Sequence, residues 1–336
     1  MLHDALLYDE LEDKAVQCNL CAHHCRIKEG GRGLCRVREN RDGRLFTLVY
    51  GNLISKNIDP IEKKPLYHFL PGTRAYSIAT PGCNFRCAWC QNWQISQMPR
   101  LMDLSEDQRV MPEQIVKKAL STQCQTIAYT YTEPTIFFEY CYDIARLAKA
   151  EGIKNIFVTN GYMTPEMLEM IHPYLDAANV DIKAFRDEPY QTLMNGHLKP
   201  VLENCKLMKS LGIWLEVTTL IVPGINDDPS ELKELATFIL EELGPETPWH
   251  LSRFYPKYKM MDRDPTDEEI LFQTKEMGES IGLDYIYVGN VIGRNNTKCK
   301  TCGRELISRH GYTIHNSGLD SEGKCEHCGA MLDGVF

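Results

Sequence analysis

The central part of the chain alternates between two hydrophobic patterns. Short runs of apolar and β-branched residues predict strands, and the segments between them carry apolar residues at helical spacing. The predicted strands are residues 75–80, 126–131, 155–159, 178–184, 213–222, 249–254 and 284–289. The predicted helices are residues 112–121, 136–150, 165–172, 198–211, 229–243 and 267–281. This alternation predicts an α/β fold with a parallel sheet, as a full or partial (β/α) barrel.

Proline and polar residues mark the ends of these elements. Pro112, Pro165 and Pro229 stand near predicted helix starts, where a missing N–H costs little. Barrels of this class place their active sites at the C-terminal ends of the strands. The polar positions at these ends include Glu133, Asn160, Asp181, Lys183, Arg253 and Tyr255. The pattern therefore predicts one site built from several successive strand ends.

Two of the predicted strands carry charges on a face that should point inward. Asp181 and Lys183 are two residues apart and share one face of a strand, as do Glu216 and Thr218 on the next. A buried lysine requires a counter-ion. Asp181, Glu216 or the carboxylate of a bound zwitterion would provide it for Lys183.

The segments before the first barrel strand carry less information. Residues 1–17 predict a short amphipathic helix. Residues 53–72 predict extended segments and turns, in which Lys63, Lys64 and His68 are expected to lie in a solvated loop, with contact to a cofactor or partner as the alternative. Neither segment indicates a catalytic residue by itself.

Composition narrows the functional classes. The chain has 336 residues, 43% of them hydrophobic, and a formal net charge of −9 from 46 acidic and 37 basic side chains. This balance argues against a nucleic-acid partner, since phosphate binding needs a clustered basic face. The charged segment 1–14 does not resemble a signal peptide, and no apolar run approaches the roughly 20 residues of a membrane span. We therefore expect a cytoplasmic protein without membrane contacts.

The 14 cysteines are grouped in spacings typical of metal sites rather than of disulfides. The central group, Cys83, Cys87 and Cys90, has C-x3-C-x2-C spacing and follows a predicted strand through Pro81 and Gly82. Thiolates are soft ligands that hold iron–sulfur clusters, and a cubane cluster normally has four of them. Three cysteines can hold three irons and leave the fourth open to another ligand. The alternatives are a zinc site with a remote fourth ligand and buried thiols without a metal.

This motif resembles the signature of the radical S-adenosylmethionine (radical SAM) superfamily, in which an aromatic residue usually precedes the last cysteine, as Trp89 does here. The resemblance implies a [4Fe–4S] cluster whose open iron chelates SAM. It also implies that reductive cleavage of SAM releases a 5′-deoxyadenosyl radical, which abstracts hydrogen from a substrate. An external electron donor of the ferredoxin or flavodoxin type is implied as a partner.

The resemblance continues along the strand ends. The TYTEP segment is similar to the Gly-Gly-Glu-Pro segment of the superfamily, which implies that Glu133 contacts the SAM amino group. The VTNG and VDIK segments resemble SAM-contacting segments of the pyruvate formate-lyase activating enzyme family, which implies contacts by Asn160, Asp181 and Lys183. Trp89 is the fifth expected cofactor contact. These activases have a histidine after the sixth strand, where this chain has FYPKYKM, so that contact is not carried over.

The chain as a whole resembles the radical SAM family of the AmmeMemoRadiSam system, in EKKPLYHF, CQNW, SRFYPKYKM and both outer cysteine groups. The implied fold class is α/β, a partial (β/α)6-type radical SAM barrel with small cysteine-rich metal-binding modules at both ends. We expect an N-terminal module over residues 1–52, the barrel over residues 53–294 and a C-terminal module over residues 295–336.

The N-terminal module carries four cysteines in C-x2-C-x3-C-x9-C spacing. They are Cys18, Cys21, Cys25 and Cys35. Four thiolates this close together are typical of a structural zinc site, and an auxiliary iron–sulfur cluster is the alternative. The pattern predicts a metal and leaves its identity open.

The C-terminal module carries two C-x2-C pairs, each followed by glycine. They are Cys299 with Cys302 and Cys325 with Cys328. This is the zinc-ribbon or rubredoxin pattern, which predicts zinc, with mononuclear iron as the alternative. The remaining cysteines stand alone and are expected in the core. They are Cys124, Cys141 and Cys205.

These observations predict a radical SAM enzyme that abstracts hydrogen from an unknown substrate. That substrate is expected to be a protein, a compound presented by a partner protein, or a free metabolite. One alternative is an activase that generates a glycyl radical on a partner enzyme; the replaced histidine in FYPKYKM argues for a different substrate. The other is a zinc-containing RNA-modifying or scaffold protein, which the acidic charge balance disfavours.

Overall fold

The computed structural model describes residues 3–102, 109–293, 295–316 and 318–336. The N-terminal segment contains short strands, which are β1 (His3–Asp4), β2 (Tyr8–Glu10), β3 (Val16–Cys18), β4 (Arg26–Ile27), β5 (Arg38–Arg41) and β6 (Arg44–Thr47). They form two antiparallel sheets with the orders β1-β6-β5 and β2-β3-β4. The N-terminal module is therefore built from strands and loops.

The amphipathic helix expected over residues 1–17 is wrong. Residues 1 and 2 lie outside the described residues, and the rest of the segment forms strands and a 3-10 turn at Glu12–Lys14. β1 pairs with β6 in the register His3↔Thr47, and β2 pairs with β3 in the register Tyr8↔Cys18. A short isolated helix is marginal in water, so strand partners further along the chain decide the conformation.

A larger sheet contains the barrel strands. These are β7 (Ser55–Pro60), β8 (Arg74–Ala79), β9 (Thr126–Tyr129), β10 (Lys154–Thr159), β11 (Ala177–Asp181), β12 (Trp214–Ile221), β13 (Trp249–Arg253) and β14 (Ile286–Gly289). The eight strands are ordered β14-β13-β12-β11-β10-β9-β8-β7. Strands β8 to β14 are parallel, and β7 is antiparallel to β8. The open order, with β14 and β7 at its edges, confirms the expected partial barrel.

The helices lie where the apolar periodicity predicts them, apart from short additional turns. They are α1 (Trp93–Ser96), α2 (Met98–Leu101), α3 (Pro112–Ser121), α4 (Phe138–Ala150), α5 (Pro165–Ile171), α6 (Asp187–Pro189), α7 (Leu198–Ser210), α8 (Pro229–Phe238) and α9 (Glu268–Ile281). Pro112, Pro165 and Pro229 each occupy the first helical position, as expected. Within the described chain, no helix is long and apolar enough to cross a lipid bilayer.

The N-terminal sheets share the hydrophobic core of the barrel, where Val37 and Leu45 are fully buried. Arg38 on β5 also forms a 2.8 Å ion pair with Glu139 on α4, and both side chains are 1% exposed. Removing one partner of such a pair would leave an uncompensated buried charge, at a cost of roughly 3–5 kcal/mol. The N-terminal module is therefore fixed against the barrel.

The C-terminal segment forms another antiparallel sheet, and it packs on the barrel through aromatic rings. Its strands are β15 (Thr297–Lys298), β16 (Glu305–His310) and β17 (Thr313–Asn316), in the order β15-β16-β17. Leu306 and Ile307 share a buried cluster with Tyr67, Tyr285 and Tyr287 of the barrel. The boundaries at 52/53 and 294/295 stay predictions, and residue 294 lies outside the described residues.

Candidate active site

The loop that carries Cys83, Cys87 and Cys90, here called the cysteine loop, begins at the C-terminal end of β8. Gly82 has a φ of +111°, which other residues rarely adopt, and a Cβ there would lie 2.9 Å from Val37. The loop can therefore turn close to the N-terminal module. Cys83, Cys87 and Cys90 line one cavity. Burial and the nearby carboxylate of Glu133 raise the pKa of Cys83 well above its usual value, so a metal would be needed to hold it as a thiolate at neutral pH.

The separation of these sulfurs fits a polynuclear cluster better than a single ion. Within the described parts of the chain, the C-terminal cysteines are the only group of three or more candidate ligands whose ligand atoms all lie within 4.8 Å. A zinc ion with Zn–S bonds of about 2.3 Å requires tetrahedral sulfurs about 3.8 Å apart. A cubane carries its thiolates on separate irons and holds them further apart. Cys83, Cys87 and Cys90 are therefore not gathered as closely as one tetrahedral zinc ion requires.

Glu133 follows β9 and is a buried carboxylate with one acceptor position left. Its Oε1 accepts hydrogen bonds from the Thr135 amide at 3.1 Å, the Thr135 hydroxyl at 2.6 Å and the Thr159 hydroxyl at 2.7 Å. Its Oε2 accepts from the Asn160 amide at 2.8 Å, so this oxygen can take one further donor. Burial raises the pKa of Glu133 despite these bonds. The carboxylate thus also anchors the next strand end.

Asn160 connects the end of β10 to the cysteine loop. Its Nδ2 donates to Asn84 Oδ1 at 2.8 Å, and its Oδ1 accepts from the Tyr162 amide at 3.0 Å. The carbonyl of Asn84 accepts from His23 Nε2 at 3.0 Å, which places the ring proton on that nitrogen. One chain of hydrogen bonds thus joins the N-terminal module, the cysteine loop and a strand end. Asn84 and His23 were not expected here, because their role depends on which loops meet in space.

Asp181 and Lys183 lie side by side on the cavity wall, with Oδ2 and Nζ 2.8 Å apart. Of the expected counter-ions, Asp181 makes the contact, and Glu216 instead bonds to His250. Although burial disfavours its charge, Asp181 raises the pKa of Lys183, so the lysine remains a cation at neutral pH. Trp89 lines the same cavity. All five residues expected to contact the cofactor therefore face one space.

The cavity has a volume of about 870 Å³, which lies within the roughly 300–1,000 Å³ of small-molecule sites. The cysteine loop and the strand ends form one part of its wall. The segment before β8 and the C-terminal module form the rest, with side chains of opposite charge. These residues include Glu62, Lys63, Lys64, Arg309, His310 and Tyr312. The C-terminal module is therefore part of the active-site wall.

The expected solvated loop around Lys63, Lys64 and His68 is wrong for two of these residues. Lys64 is 1% exposed and His68 is fully buried. Asp59 on β7 accepts from Lys64 Nζ at 2.6 Å and from Lys63 Nζ at 2.9 Å. A buried lysine needs such a partner, and the sequence offered no means of seeing that β7 would supply it.

Tyr131 has a backbone conformation that residues other than glycine rarely adopt. Its φ is +64°, a conformation that costs a non-glycine residue of order 1–3 kcal/mol. Its hydroxyl donates to Asp59, and its ring lies 4.4 Å from Lys64 Nζ. Asn92 Nδ2 also donates to the Tyr131 carbonyl at 2.8 Å. These contacts hold a strained backbone beside the cysteine loop.

Glu216 on β12 anchors the segment between β7 and β8, which contains Tyr67 and His68. It is fully buried and accepts from the backbone amides of Tyr67 at 2.9 Å and His68 at 2.8 Å. It also accepts from His250 Nε2 at 2.6 Å. These donors lower the pKa of Glu216 although burial by itself would raise it. Glu216 is thus a positioning residue for the cavity wall.

His68 links this segment to the C-terminal module. Its Nδ1 lies 2.6 Å from the Asp333 carbonyl, which can only accept, so Nδ1 carries the proton. Its Nε2 therefore accepts from the Tyr287 hydroxyl at 2.7 Å. Burial lowers the pKa of His68 to about 4. The neutral ring is the form that satisfies both partners.

We expect the stability of the fold to decrease as the pH falls from 7 to 5. The unfolded imidazole takes up a proton below its ordinary pKa of 6.5, whereas folded His68 resists protonation down to about 4. The unfolded state thus binds more protons in this window, which lowers the free energy of unfolding by roughly 2 kcal/mol between pH 7 and pH 5. Denaturant unfolding at both pH values measures the change.

The matched comparison is between two histidine variants. His68→Gln should be less stable at pH 7 and lose most of the pH dependence, whereas His315→Gln, at an exposed position, should behave as the wild type. Equal wild-type stability at pH 7 and pH 5 would contradict the assignment of a neutral buried His68.

The C-terminal cysteines bring all four of their sulfurs within 4.8 Å of one another. Cys299 Sγ lies 3.6 Å from Cys328 Sγ, and Cys302 Sγ lies 3.7 Å from Cys325 Sγ. These separations are close to the roughly 3.8 Å of a tetrahedral zinc–thiolate site. The cysteines expected in the core are all buried, as predicted. They are Cys124, Cys141 and Cys205.

The model of the Radical SAM superfamily matches residues 77–239 of this chain. The matched span begins within β8 and contains the cysteine loop. It also contains Trp89, Glu133, Asn160, Asp181 and Lys183. Residues 77–239 of this chain are a radical SAM domain. This radical SAM protein thus has its family-defining motif at the strand ends where the cavity lies.

Individual proteins resemble this chain to different extents, one along its whole length and others over part of it. An uncharacterized protein of Methanocaldococcus jannaschii is 46% identical over 338 residues, covering 100% of both chains. The GTP 3′,8-cyclase of Aquifex aeolicus is 26% identical over 254 residues, covering 69% of this chain and 78% of that one. The structure of Streptococcus suis SuiB bound to its precursor peptide SuiA has a TM-score of 0.50 and 13% identity, covering 69% of this chain and 51% of that one. This structural likeness concerns the fold alone.

Proposed function

We propose that this radical SAM protein abstracts a hydrogen atom from a compact polar substrate held in the 870 Å³ cavity. The observation that carries the proposal is the convergence of three thiols and five expected cofactor contacts on that one cavity. When bound, the [4Fe–4S] cluster and SAM supply a 5′-deoxyadenosyl radical after one-electron reduction by a ferredoxin- or flavodoxin-type donor. The chain itself supplies binding, orientation and exclusion of water.

The residues around the cavity divide these tasks by their chemistry. Cys83, Cys87 and Cys90 would hold three irons. The free acceptor position on Glu133 Oε2 suits the ammonium group of SAM. Lys183 presents a cation that suits the carboxylate of SAM, while Asp181 keeps it charged and oriented. A zwitterion is thus bound by complementary charges on neighbouring strand ends.

The cavity wall near the C-terminal module contains buried polar groups that suit a polar substrate. Glu62 Oε2 and Arg309 Nε are buried without a hydrogen-bond partner in the described chain, and both residues line the cavity. Burial raises the pKa of Glu62 to about 7. An unpaired buried polar group costs roughly 1–3 kcal/mol, which a substrate with complementary donors and acceptors would offset.

The test is release of 5′-deoxyadenosine by anaerobically reconstituted protein with SAM and dithionite. Small-molecule fractions and candidate partner proteins are added in turn, and a substrate should increase the release above the slow background. Arg309→Gln should lose the increase and keep the background. Reconstituted protein that releases no 5′-deoxyadenosine under any condition contradicts the proposal.

An activase of the pyruvate formate-lyase activating enzyme type is the second candidate. It is favoured by the shared placement of Asn160, Asp181 and Lys183 on the cavity wall. The C-terminal residues that line the cavity favour a smaller substrate, because a polypeptide loop needs an open mouth. A near-stoichiometric glycyl radical on a co-incubated partner, seen by electron paramagnetic resonance, would establish the activase instead.

Glu133→Gln is expected to weaken SAM binding ten- to a hundredfold. The substitution preserves shape and removes the negative charge, and a charge-assisted hydrogen bond contributes roughly 1.5–3 kcal/mol. Asn160→Ala should have an effect in the same range, with cluster iron content unchanged in both variants. Equilibrium binding of SAM to the reconstituted protein measures the loss.

The matched control is Glu231→Gln. Glu231 is also a buried carboxylate that accepts a backbone hydrogen bond, from Phe185, and it lies outside the residues that line the cavity. Its variant should bind SAM as the wild type does. Wild-type affinity in Glu133→Gln and Asn160→Ala would mean that SAM binds elsewhere.

We also propose zinc as the metal of the C-terminal cysteines. The support is the close spacing of their four sulfurs and the positive φ of Gly303 and Gly329, which lets the chain turn closely after each cysteine pair. The metal would stabilise the module that forms part of the cavity wall. Mononuclear iron has the same geometry, and metal analysis distinguishes the two.

A further inference from the structure

We propose that the N-terminal cysteines hold a redox-active iron–sulfur cluster rather than a zinc ion, and that this cluster lies against the cysteine loop of the active site. The four residues are Cys18, Cys21, Cys25 and Cys35. The sequence left zinc and a cluster as alternatives. Three observations favour the cluster. They are the separation of the sulfurs, the buried environment and the contact with the cysteine loop of the active site.

The first observation is the separation of the sulfurs. All four N-terminal cysteines are described, and among the described residues no three of them bring their sulfurs within 4.8 Å of one another. They nevertheless converge, since Cys25 Sγ and Cys35 Sγ each lie 3.8 Å from the position that a Cβ of Gly33 would take. Cys25 and Cys35 thus face the same point, and the group is wider than a single tetrahedral ion requires.

The same molecule contains both kinds of cysteine site for comparison. The C-terminal cysteines meet the spacing of one tetrahedral ion, with pairs of sulfurs 3.6 and 3.7 Å apart. The active-site cysteines, which the superfamily uses for a [4Fe–4S] cluster, have wider separations. In the separation of their sulfurs, the N-terminal cysteines resemble the active-site cysteines rather than the C-terminal ones. They also number four, which suits a cluster without an open iron.

The second observation is the environment of the site. Arg38 is 1% exposed, its charge acts on Cys18 and Cys35, and its Nε has no hydrogen-bond partner in the described part of the chain. An unpaired buried donor is costly unless a ligand accepts from it. Glu139 pairs with the Nη1 of this guanidinium, and the sulfide and thiolate sulfurs of a cluster are acceptors of the kind that Nε lacks. Hydrogen bonds and burial of this kind also adjust reduction potentials.

The third observation is direct contact with the active-site loop. The Cys35 carbonyl lies 3.5 Å from the position that a Cβ of Gly82 would take, next to Cys83. Arg100 Nη2 donates to the carbonyls of Leu34 at 2.8 Å and Cys83 at 3.0 Å. The guanidinium of Arg100 thus bridges Leu34, which precedes Cys35 of the N-terminal group, and Cys83 of the active-site group. A cluster in the N-terminal module would lie close enough to the active-site cysteines for magnetic interaction and electron exchange.

The redox step is a one-electron change without bond formation or cleavage. A low-potential ferredoxin- or flavodoxin-type donor gives up one electron, and the N-terminal cluster passes from the 2+ to the 1+ state. The [4Fe–4S] cluster that Cys83, Cys87 and Cys90 would hold is the acceptor of that electron, and its transfer would restore the 2+ state of the N-terminal cluster. The module would thus serve as an electron carrier beside the active site.

The decisive protein is the full chain with the three active-site cysteines replaced, Cys83→Ala, Cys87→Ala and Cys90→Ala. After anaerobic reconstitution with iron and sulfide it should retain about four iron and four sulfide per chain, as one [4Fe–4S] cluster requires. Dithionite should produce an electron paramagnetic resonance signal of a reduced cluster. Iron at background with two zinc per chain, one in each outer module, overturns the proposal.

A second variant separates the site from general folding. Adding Cys21→Ala to that triple variant should abolish the remaining iron and the signal, whereas adding Cys205→Ala should preserve both. The zinc of the C-terminal module serves as a folding reference in each sample. Iron that persists after Cys21→Ala also overturns the assignment. Because these proteins lack the active-site cysteines, the outcome is independent of the proposed function.

A measurement on the wild-type holoprotein tests the contact between the two sites. With both clusters reduced, the spectrum should show broadening from spin–spin interaction, and the triple variant should show the narrow signal of a single cluster. A wild-type spectrum equal to the sum of two non-interacting signals contradicts the proposed proximity.

Discussion

Cys87→Ala is expected to reduce 5′-deoxyadenosine formation to background in reconstituted protein supplied with SAM and dithionite. Cys87 lies between the other two cysteines in the loop after β8 and is buried on the cavity wall. Removing one of three thiolates leaves an iron of the cluster without a protein ligand. The cluster is then lost or changed, so the effect should exceed that of any substitution around SAM. Iron content and 5′-deoxyadenosine are measured on the same sample.

Cys205→Ala is the matched control for this result. Cys205 lies on α7, is fully buried and does not line the cavity, so the variant removes a thiol of similar burial without touching the site. It should keep both iron and cleavage activity. Unimpaired cleavage by Cys87→Ala would end the radical SAM assignment of this cysteine loop.

The double variant Cys299→Ala and Cys302→Ala is expected to lose one metal equivalent and unfold the C-terminal module. Apparent binding free energies of structural zinc are roughly 10–16 kcal/mol in zinc-finger peptides, which is more than a small sheet can replace. Loss of the module should expose the aromatic residues Tyr67, Tyr285 and Tyr287, which it covers. Metal analysis, protease sensitivity and tyrosine fluorescence record the change.

Thr301→Ala provides the control within the same turn. Its side chain is exposed between the two cysteines, so the variant should keep its metal and its protease resistance. The double variant should also keep its active-site iron, because the cysteine loop packs on the N-terminal module rather than on the C-terminal one. A wild-type protein without tightly bound metal at these cysteines would refute the proposed site.

The sequence by itself determined the architecture of the barrel. Each predicted strand from 75–80 to 284–289 overlaps a strand of the large sheet, and Pro112, Pro165 and Pro229 each begin a helix. This succeeded because apolar periodicity and proline geometry are local properties, and because consecutive β–α units have one favoured way to pack. The cysteine spacing likewise pointed to the family without any knowledge of the tertiary structure.

Local sequence patterns also explain which residues of the candidate site could be predicted. Glu133 and Asn160 follow predicted strands, and Asp181 and Lys183 lie near the end of another, so a parallel sheet brings the four together. Their contacts with SAM were implied by the family resemblance. Their partners could not be selected in this way. The ion pair of Asp181 with Lys183 was available from a two-residue spacing, whereas the competing choice of Glu216 could be excluded only by its contact with His250.

Only the tertiary structure decided the contacts between segments distant in sequence. Lys64 is buried because β7 brings Asp59 beside it, and His68 is neutral because Tyr287 and Asp333 surround it. The first residues form strands because β6 and β3 supply their partners. The separation of the sulfurs, which distinguishes one metal ion from a cluster, depends on how whole loops pack. Burial and long-range pairing are properties of the folded chain, and local sequence patterns do not contain them.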